Sequence, residues 1–366
     1  MKIFKLYFSL LFLLASINLK AQMQEEIKKS FYLSLDTRFD YTYQTFESNV
    51  AANKSLERFE FSDFILETGM HFSEQISMVF RYVPYDGKRD VDGLSDNFQY
   101  AYINLESENK HWNLSLGKFF MQVGTAEQFY DPNDVFNYSI VSNNLGVFKT
   151  GVALTYRTKS KQLLGFQVVN SSEEKENSLR QKFEYNINYY GYLLQGKIVP
   201  LVSFTSIPEI GAYSVNAGIM WNFHPLHVDT DYAMAYKMPN FYDGIYYQSL
   251  PIRISWNGRH FRPFVKYIAN SMKSDSDSTQ IIVDGNPIEL STYNYRVWEG
   301  GLQYYPIANK NLRFHIAASY SDDYSIDVLV PELDPINTRG HYTADFQIYV
   351  GVRIGVNFLK GIKSIQ

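Results

Sequence analysis

Few residues in this 366-residue chain are of types and spacings that could do chemistry. Cysteine is absent, which excludes disulfides, thiolate metal ligands, iron–sulfur clusters and a thiol nucleophile. His224 and His227 flank Pro225 like half a metal site, yet the segment reads as a tight turn and no metal is expected. There is no GxSxG, no HExxH and no phosphate-cradling loop, so the chain reads as a non-enzyme with no cofactor. What remains is charge. Between Lys118 and Lys149 there is no Lys or Arg, but Glu127, Asp131 and Asp134 stand there. Acids grouped in this way attract cations where they line a narrow, low-dielectric passage. They also suit a helix start, since Asp131-Pro132-Asn133-Asp134 matches an N-cap followed by Pro at the first helical position. Asp275 and Asp277, in the Ser-rich tract 274–278, read as a solvated loop tip before a small hairpin over 281–290. The net charge of -4, with no basic stripe, opposes nucleic-acid binding.

The elements that must position these charges alternate with period two. In Phe31 to Tyr43, the odd positions Phe31, Leu33, Leu35, Phe39 and Tyr41 are apolar or aromatic. The even positions include Ser34, Asp36, Arg38 and Asp40. Successive strand residues face opposite sides, so one face is apolar and the other polar and charged. The same pattern recurs at 148–157, 228–236, 312–320 and 345–358. Such strands fit a soluble sandwich or a transmembrane barrel. Runs of ten or more alternating residues favour the barrel, because a tilted membrane strand needs about 9–11. So do Tyr41, Tyr43, Tyr156, Tyr236, Trp256 and Tyr320 at strand ends, where interfacial aromatics belong. Single charges on the polar face require a wet lumen, since a packed core would not tolerate them.

The expected fold is therefore all-β: a transmembrane antiparallel up-and-down barrel. Residues 1–21 read as a secretory signal, with Lys2 and Lys5 before an apolar run and Ala21 at the cut. Residues 22–366 form the barrel. Sixteen strands are read, from 31–43 to 342–358, with fourteen as the alternative. The parity of the count rests on 198–205, where Pro200 removes a ladder donor. With that strand included, short links fall at one end and long links, including 120–146, at the other. Gly300-Gly301 breaks the alternation of its strand and reads as a bulge.

Several segments then carry a resemblance. They are AYINLE, LGKFFMQVG, EQFYDPNDVFNYS and FKTGVALTY between Asn97 and Tyr156, WEGGLQYYP at 298–306, and NLRFHIAASY at 311–320. The chain resembles the phosphate-selective porin O and P family, in its Bacteroidetes-type branch, over most of its length after the signal. The resemblance implies a sixteen-stranded outer-membrane barrel of a Gram-negative bacterium that passes small solutes. It implies a third outer loop folded inward, which would set Glu127, Asp131 and Asp134 at a constriction. Facing them, Arg38, Arg81, Lys149, Arg157, Arg253, Lys266 and Arg353 are candidates for a basic lumen wall. The acidic loop departs from a family that attracts phosphate through basic residues, so weak selectivity is expected. Expected partners are outer-membrane lipid and lipopolysaccharide, small solutes or ions, further copies in a homotrimer, and the barrel-assembly machinery, which would read Phe358. The rival reading is a non-conducting barrel that anchors a surface complex or adhesin.

Overall fold

The structure, a computed structural model, describes residues 31–46, 54–84, 97–171, 182–241, 244–274, 280–283, 286–289, 292–307, 312–321 and 346–358. The expected signal at 1–21, most of the long outer links and the acidic tract with Asp275 and Asp277 lie outside them.

Among the described residues, eighteen strands run in chain order. The first nine are β1 (Phe31–Phe46), β2 (Lys54–His71), β3 (Ile76–Tyr82), β4 (Phe98–Glu106), β5 (Trp112–Phe120), β6 (Phe148–Arg157), β7 (Leu163–Asn170), β8 (Phe183–Tyr190) and β9 (Ile198–Ile207). Then come β10 (Ala212–Phe223), β11 (Leu226–Tyr236), β12 (Ile245–Trp256), β13 (Phe261–Ser274), β14 (Gln280–Val283), β15 (Asn286–Glu289), β16 (Thr292–Tyr304), β17 (Leu312–Ser321) and β18 (Phe346–Asn357). Strands β14 and β15 form the expected small hairpin by themselves. The other sixteen make one closed antiparallel barrel, each beside its neighbour in sequence, and β1 pairs with β18 to complete it. Closure leaves no unpaired edge, as a backbone in lipid requires. The count is sixteen, not fourteen.

Pro200 is accommodated because of where it sits in β9. Its carbonyl accepts from Gly191 N–H at 2.8 Å, beyond the last residue of β8. The missing N–H would point the same way, where the ladder with β8 has ended, so β10 still pairs along all of β9.

The outer surface is apolar: Phe59, Val265, Ile316 and Trp298 are among its exposed side chains. Trp112 packs on Tyr156 at 4.7 Å, and Tyr236 stacks on Tyr246 at 4.3 Å, both near strand ends. The lumen face carries Arg38, Asp40, Thr42, Asn186, Asn188, Asp229, Asp231 and Glu299, all buried. A barrel with this apolar exterior and polar interior is of the transmembrane type.

Two register shifts interrupt the ladders. One leaves Ser62 of β2 unpaired between Asp63, opposite Arg38, and Phe61, opposite Phe39. It switches the outward positions of β2 from Phe59 and Phe61 to Phe64 and Leu66. The other falls between Arg81 and Tyr82 and leaves Gln99 of β4 unpaired. The bulge expected at Gly300-Gly301 is not there, because β16 keeps an unbroken register with both β13 and β17. Gly301 answers a packing need instead. A Cβ on Gly301 would lie 2.5 Å from the ring of Phe264 and 2.9 Å from the carbonyl of Ile316.

Candidate functional site

The link between β5 and β6 does not project outward. It runs through the barrel and docks on the wall opposite its root. Its first residues are apolar: Met121 and Val123 are buried against Phe119, Ala153 and Val169. Gly124 then takes a left-handed backbone with φ of +67°, and its Cα lies against β9, where a Cβ would meet Ser203 N at 2.6 Å. Only glycine satisfies both demands. A 3-10 turn, Ala126–Phe129, follows, and its amides point into β11. Ala126 N–H and Glu127 N–H donate to the two oxygens of Asp231 at 2.7 and 3.0 Å. A single helical turn, Ile140–Asn144, closes the loop, here called α1. Val141 and Leu145 pack on Ala212, Ala233, Ala235, Ile245 and Tyr247, an apolar patch on the lumen face of β10–β12. Behind the loop, the wall of β8–β10 is a buried ladder of amides and hydroxyls. Asn186 donates to Thr205 at 2.7 Å, and Asn216 to Ser214 at 2.8 Å.

The three acids of the loop have different surroundings. Glu127 is 1% exposed. Its carboxylate accepts from Ser139 N–H and Oγ–H and pairs with Lys266 Nζ at 2.6 Å. The same ammonium donates to the carbonyl of Asn137 at 2.6 Å. Glu127 and Lys266 thus form a sealed tie between loop and wall. Asp131 caps the next 3-10 turn, accepting from Asn133 N–H at 3.0 Å, and also pairs with Arg353. Asp134 accepts from Arg353 Nη1 at 2.9 Å and pairs with Arg313. The side chains of Asp131 and Asp134 keep 38% and 29% exposure, so both face open lumen.

The basic partners of those acids form a row. Arg38 on β1, Arg353 on β18 and Arg313 on β17 lie directly opposite one another in the ladders. Three cations at one level need compensation. Asp36 accepts from Arg353 at 2.9 Å, Asp40 accepts from Arg38 Nε at 2.9 Å, and Arg38 and Arg313 also donate to the Asn133 carbonyl. Asp40 is fully buried, meets His315 Nε2 at 2.7 Å, and takes the hydroxyl of the bulged Ser62. Arg38 also lies 5.0 Å over the ring of Phe136, a loop residue.

The remaining basic candidates are spread around the wall. Arg253 sits 4.6 Å over the ring of Tyr130, whose hydroxyl donates to Asp229 at 2.6 Å. Burial, and then Asp229, push the Tyr130 hydroxyl above its ordinary range, so it stays a donor. Arg81 pairs with Glu67 at 2.6 Å and covers Tyr100 at 4.4 Å. Lys149 is buried against Glu184. Arg157 stands exposed at the end of β6, on the short-turn side. The structure therefore gathers Arg38 and Arg353 around the loop acids, ties Lys266 under the loop, and leaves Arg81, Lys149 and Arg157 on other sectors. Arg313, Asp36, Asp40, Asp229, Asp231 and Glu299 join the arrangement without having been singled out from sequence. Their lumen-face parity was a usable signal, but parity gives no level around the barrel.

Between the root of the loop and β4–β7 lies a cavity of about 290 Å³, lined by Tyr100, Tyr102, Asn104, Ser115, Thr155 and Gln167 among others. Among the described residues, no cluster of three or more His, Asp or Glu is arranged to hold a metal ion. His227 instead pairs with Asp229 at 2.8 Å.

With the architecture defined as a sixteen-stranded barrel with an inward loop, solved structures of that architecture can be compared. No protein-family model matches the chain, and no curated protein matches it. The anion-selective porin from Comamonas acidovorans superposes with a TM-score of 0.58 at 12% identity, over 89% of this chain and 99% of the porin. OmpF of Salmonella typhi, in complex with daunomycin, gives 0.57 at 12% identity, over 91% of this chain and 100% of OmpF. The outer membrane channel DcaP of Acinetobacter baumannii gives 0.56 at 10%, over 89% and 96%. At these identities the likeness is one of fold: this chain has the porin-type barrel.

Proposed function

We propose that this chain is an outer-membrane porin of a Gram-negative bacterium, through which small hydrophilic solutes or ions diffuse passively. One observation carries the reading. A barrel with an apolar exterior holds a loop docked inside it, and beside that loop a partly exposed set of charges, Arg353, Asp36, Asp131 and Asp134, lines the lumen. Narrowing by the loop gives size exclusion, and opposed charges give a transverse field. The charges are locally balanced, so weak selectivity follows. Asp131 and Asp134 are the constriction acids in this reading, with Arg38, Arg353, Arg253 and Arg81 as the facing wall. Glu127, Lys266 and Lys149 hold the structure around it.

The finer reading, membership of the phosphate-selective O and P family, rests on the sequence resemblance. The arginine row supports it, and the acids bound to that row oppose specificity for anions. A homotrimer agrees with a structural relative described as a trimer form, an outer membrane protein of Vibrio cholerae. Outer-membrane lipid with lipopolysaccharide surrounds the barrel, residues 1–21 direct export and are then removed, and the assembly machinery reads Phe358. The test is planar-bilayer conductance of the purified, refolded chain under a salt gradient. Ohmic steps with a small reversal potential are expected. Folded barrels that pass no current would overturn the reading in favour of a barrel that anchors a surface complex.

A further inference from the structure

We propose that the cavity beside β4–β7 is a resting site for an uncharged, polyhydroxylated solute of monosaccharide size. The inference rests on the porin reading and names a solute class for it. The cavity, of about 290 Å³, is of a size to take one small solute.

Its lining differs in chemistry from the arginine row and the base of the loop, where the described wall pairs acids with bases. Here the middle of the wall is neutral: Tyr102, Asn104, Ser115, Thr155 and Gln167. The charged lining residues Glu106, Lys110 and Arg157 stand at strand ends and a turn, on the mouth side. An ion moving past this neutral wall would lose hydration without gaining a counter-charge. A sugar hydroxyl is both donor and acceptor, and amides and hydroxyls offer both in return. The ring of Tyr102, held edge-to-face against Tyr100 at 5.8 Å, supplies an apolar surface for the C–H face of a pyranose. The amides are held in position: Ser115 Oγ–H donates to Asn104 Oδ1 at 2.6 Å, and Gln167 Oε1 accepts from Gln122 N–H at 3.0 Å.

The experiment uses the full refolded chain in planar bilayers with D-glucose, and tetraethylene glycol as a neutral control of similar size. Glucose is expected to reduce conductance saturably, while the glycol acts only in proportion to its effect on bulk conductivity. Asn104→Leu should weaken the apparent glucose affinity about fivefold or more, as loss of a neutral hydrogen bond predicts. Ser115→Ala, a smaller change, serves where Asn104→Leu does not fold. Equal effects of glucose and glycol, or unchanged affinity in both variants, overturn the sugar site and leave the porin reading intact. A chain that folds but does not conduct overturns the porin reading. Calorimetric titration of glucose into the same folded barrels then decides the site: saturable heat supports it and no heat overturns it.

Discussion

Glu127→Gln should free the inner loop without unfolding the barrel. Glu127 and Lys266 are both about 1–2% exposed and 2.6 Å apart. Removing the carboxylate charge leaves a buried ammonium with the Asn137 carbonyl as acceptor and Glu299, opposite it on β16, as its remaining acid, so the loss falls at the low end of the range for a stranded charge. Stranding one member of a buried pair costs about 3–5 kcal/mol. At ~1.4 kcal/mol per decade, the low end is roughly a hundredfold more frequent opening of the loop. The ladders of β13 are untouched, so global unfolding changes much less. Limited proteolysis reads this directly. No Lys or Arg lies between Lys118 and Lys149, so trypsin is blind to the loop, while Phe129, Tyr130, Phe136 and Tyr138 are chymotrypsin sites. Where opening is fast relative to cleavage, the cut rate follows the open fraction. The double change Glu127→Gln/Lys266→Met should restore part of the protection, because the ammonium left without Glu127 is gone, although Glu299, opposite it on β16, then loses its nearest cation. Less than about threefold acceleration in the single variant, or a double variant that merely sums two losses, would refute the reasoning.

Further outcomes are expected. Asp131→Asn/Asp134→Asn leaves Arg353 with Asp36 as its remaining acid, so the reversal potential under a salt gradient should move toward anion preference. Gly124→Ala places a Cβ 2.6 Å from the β9 backbone at a positive φ, and should raise chymotrypsin cleavage as Glu127→Gln does. Gly301→Ala crowds Phe264 and should lower barrel stability by about 1–3 kcal/mol, read from the denaturation midpoint. Phe358→Ala should reduce the heat-modifiable folded band in cells but not detergent refolding of the purified chain. N-terminal sequencing of the exported protein should begin at Gln22.

Much of the barrel was legible because pleat parity is a local property. Each strand displays its own apolar face, so sixteen strands and the place of 198–205 could be read without knowing any contact. Legibility failed where a strand changes parity. In β2, Phe59 and Phe61 share one parity and Phe64 and Leu66 the other, and the extra residue Ser62 reconciles them only once β1 is paired alongside. At Gly300-Gly301 the same logic misled, because a missing side chain looks like a broken pattern when it is room for Phe264. The lumen-face residues Ala212, Ala233 and Ala235 were a signal left unused. An apolar stretch on a wet wall must be covered, and α1 covers it.

By itself, then, the sequence determined the strand pattern, the faces the strands turn to lipid and lumen, and the charge composition of the loop, with sixteen or fourteen strands as the count. These follow from alternation and link length, which involve only near neighbours. Tertiary structure decided which charges meet. Glu127 reaches Lys266, and Asp134 reaches Arg313 and Arg353, across separations no local pattern encodes. Arg38 and Arg353 stand side by side only because β1 closes on β18. An ion pair needs ångström-scale proximity, and here that proximity is set by the closure of the ring and the path of one loop through it.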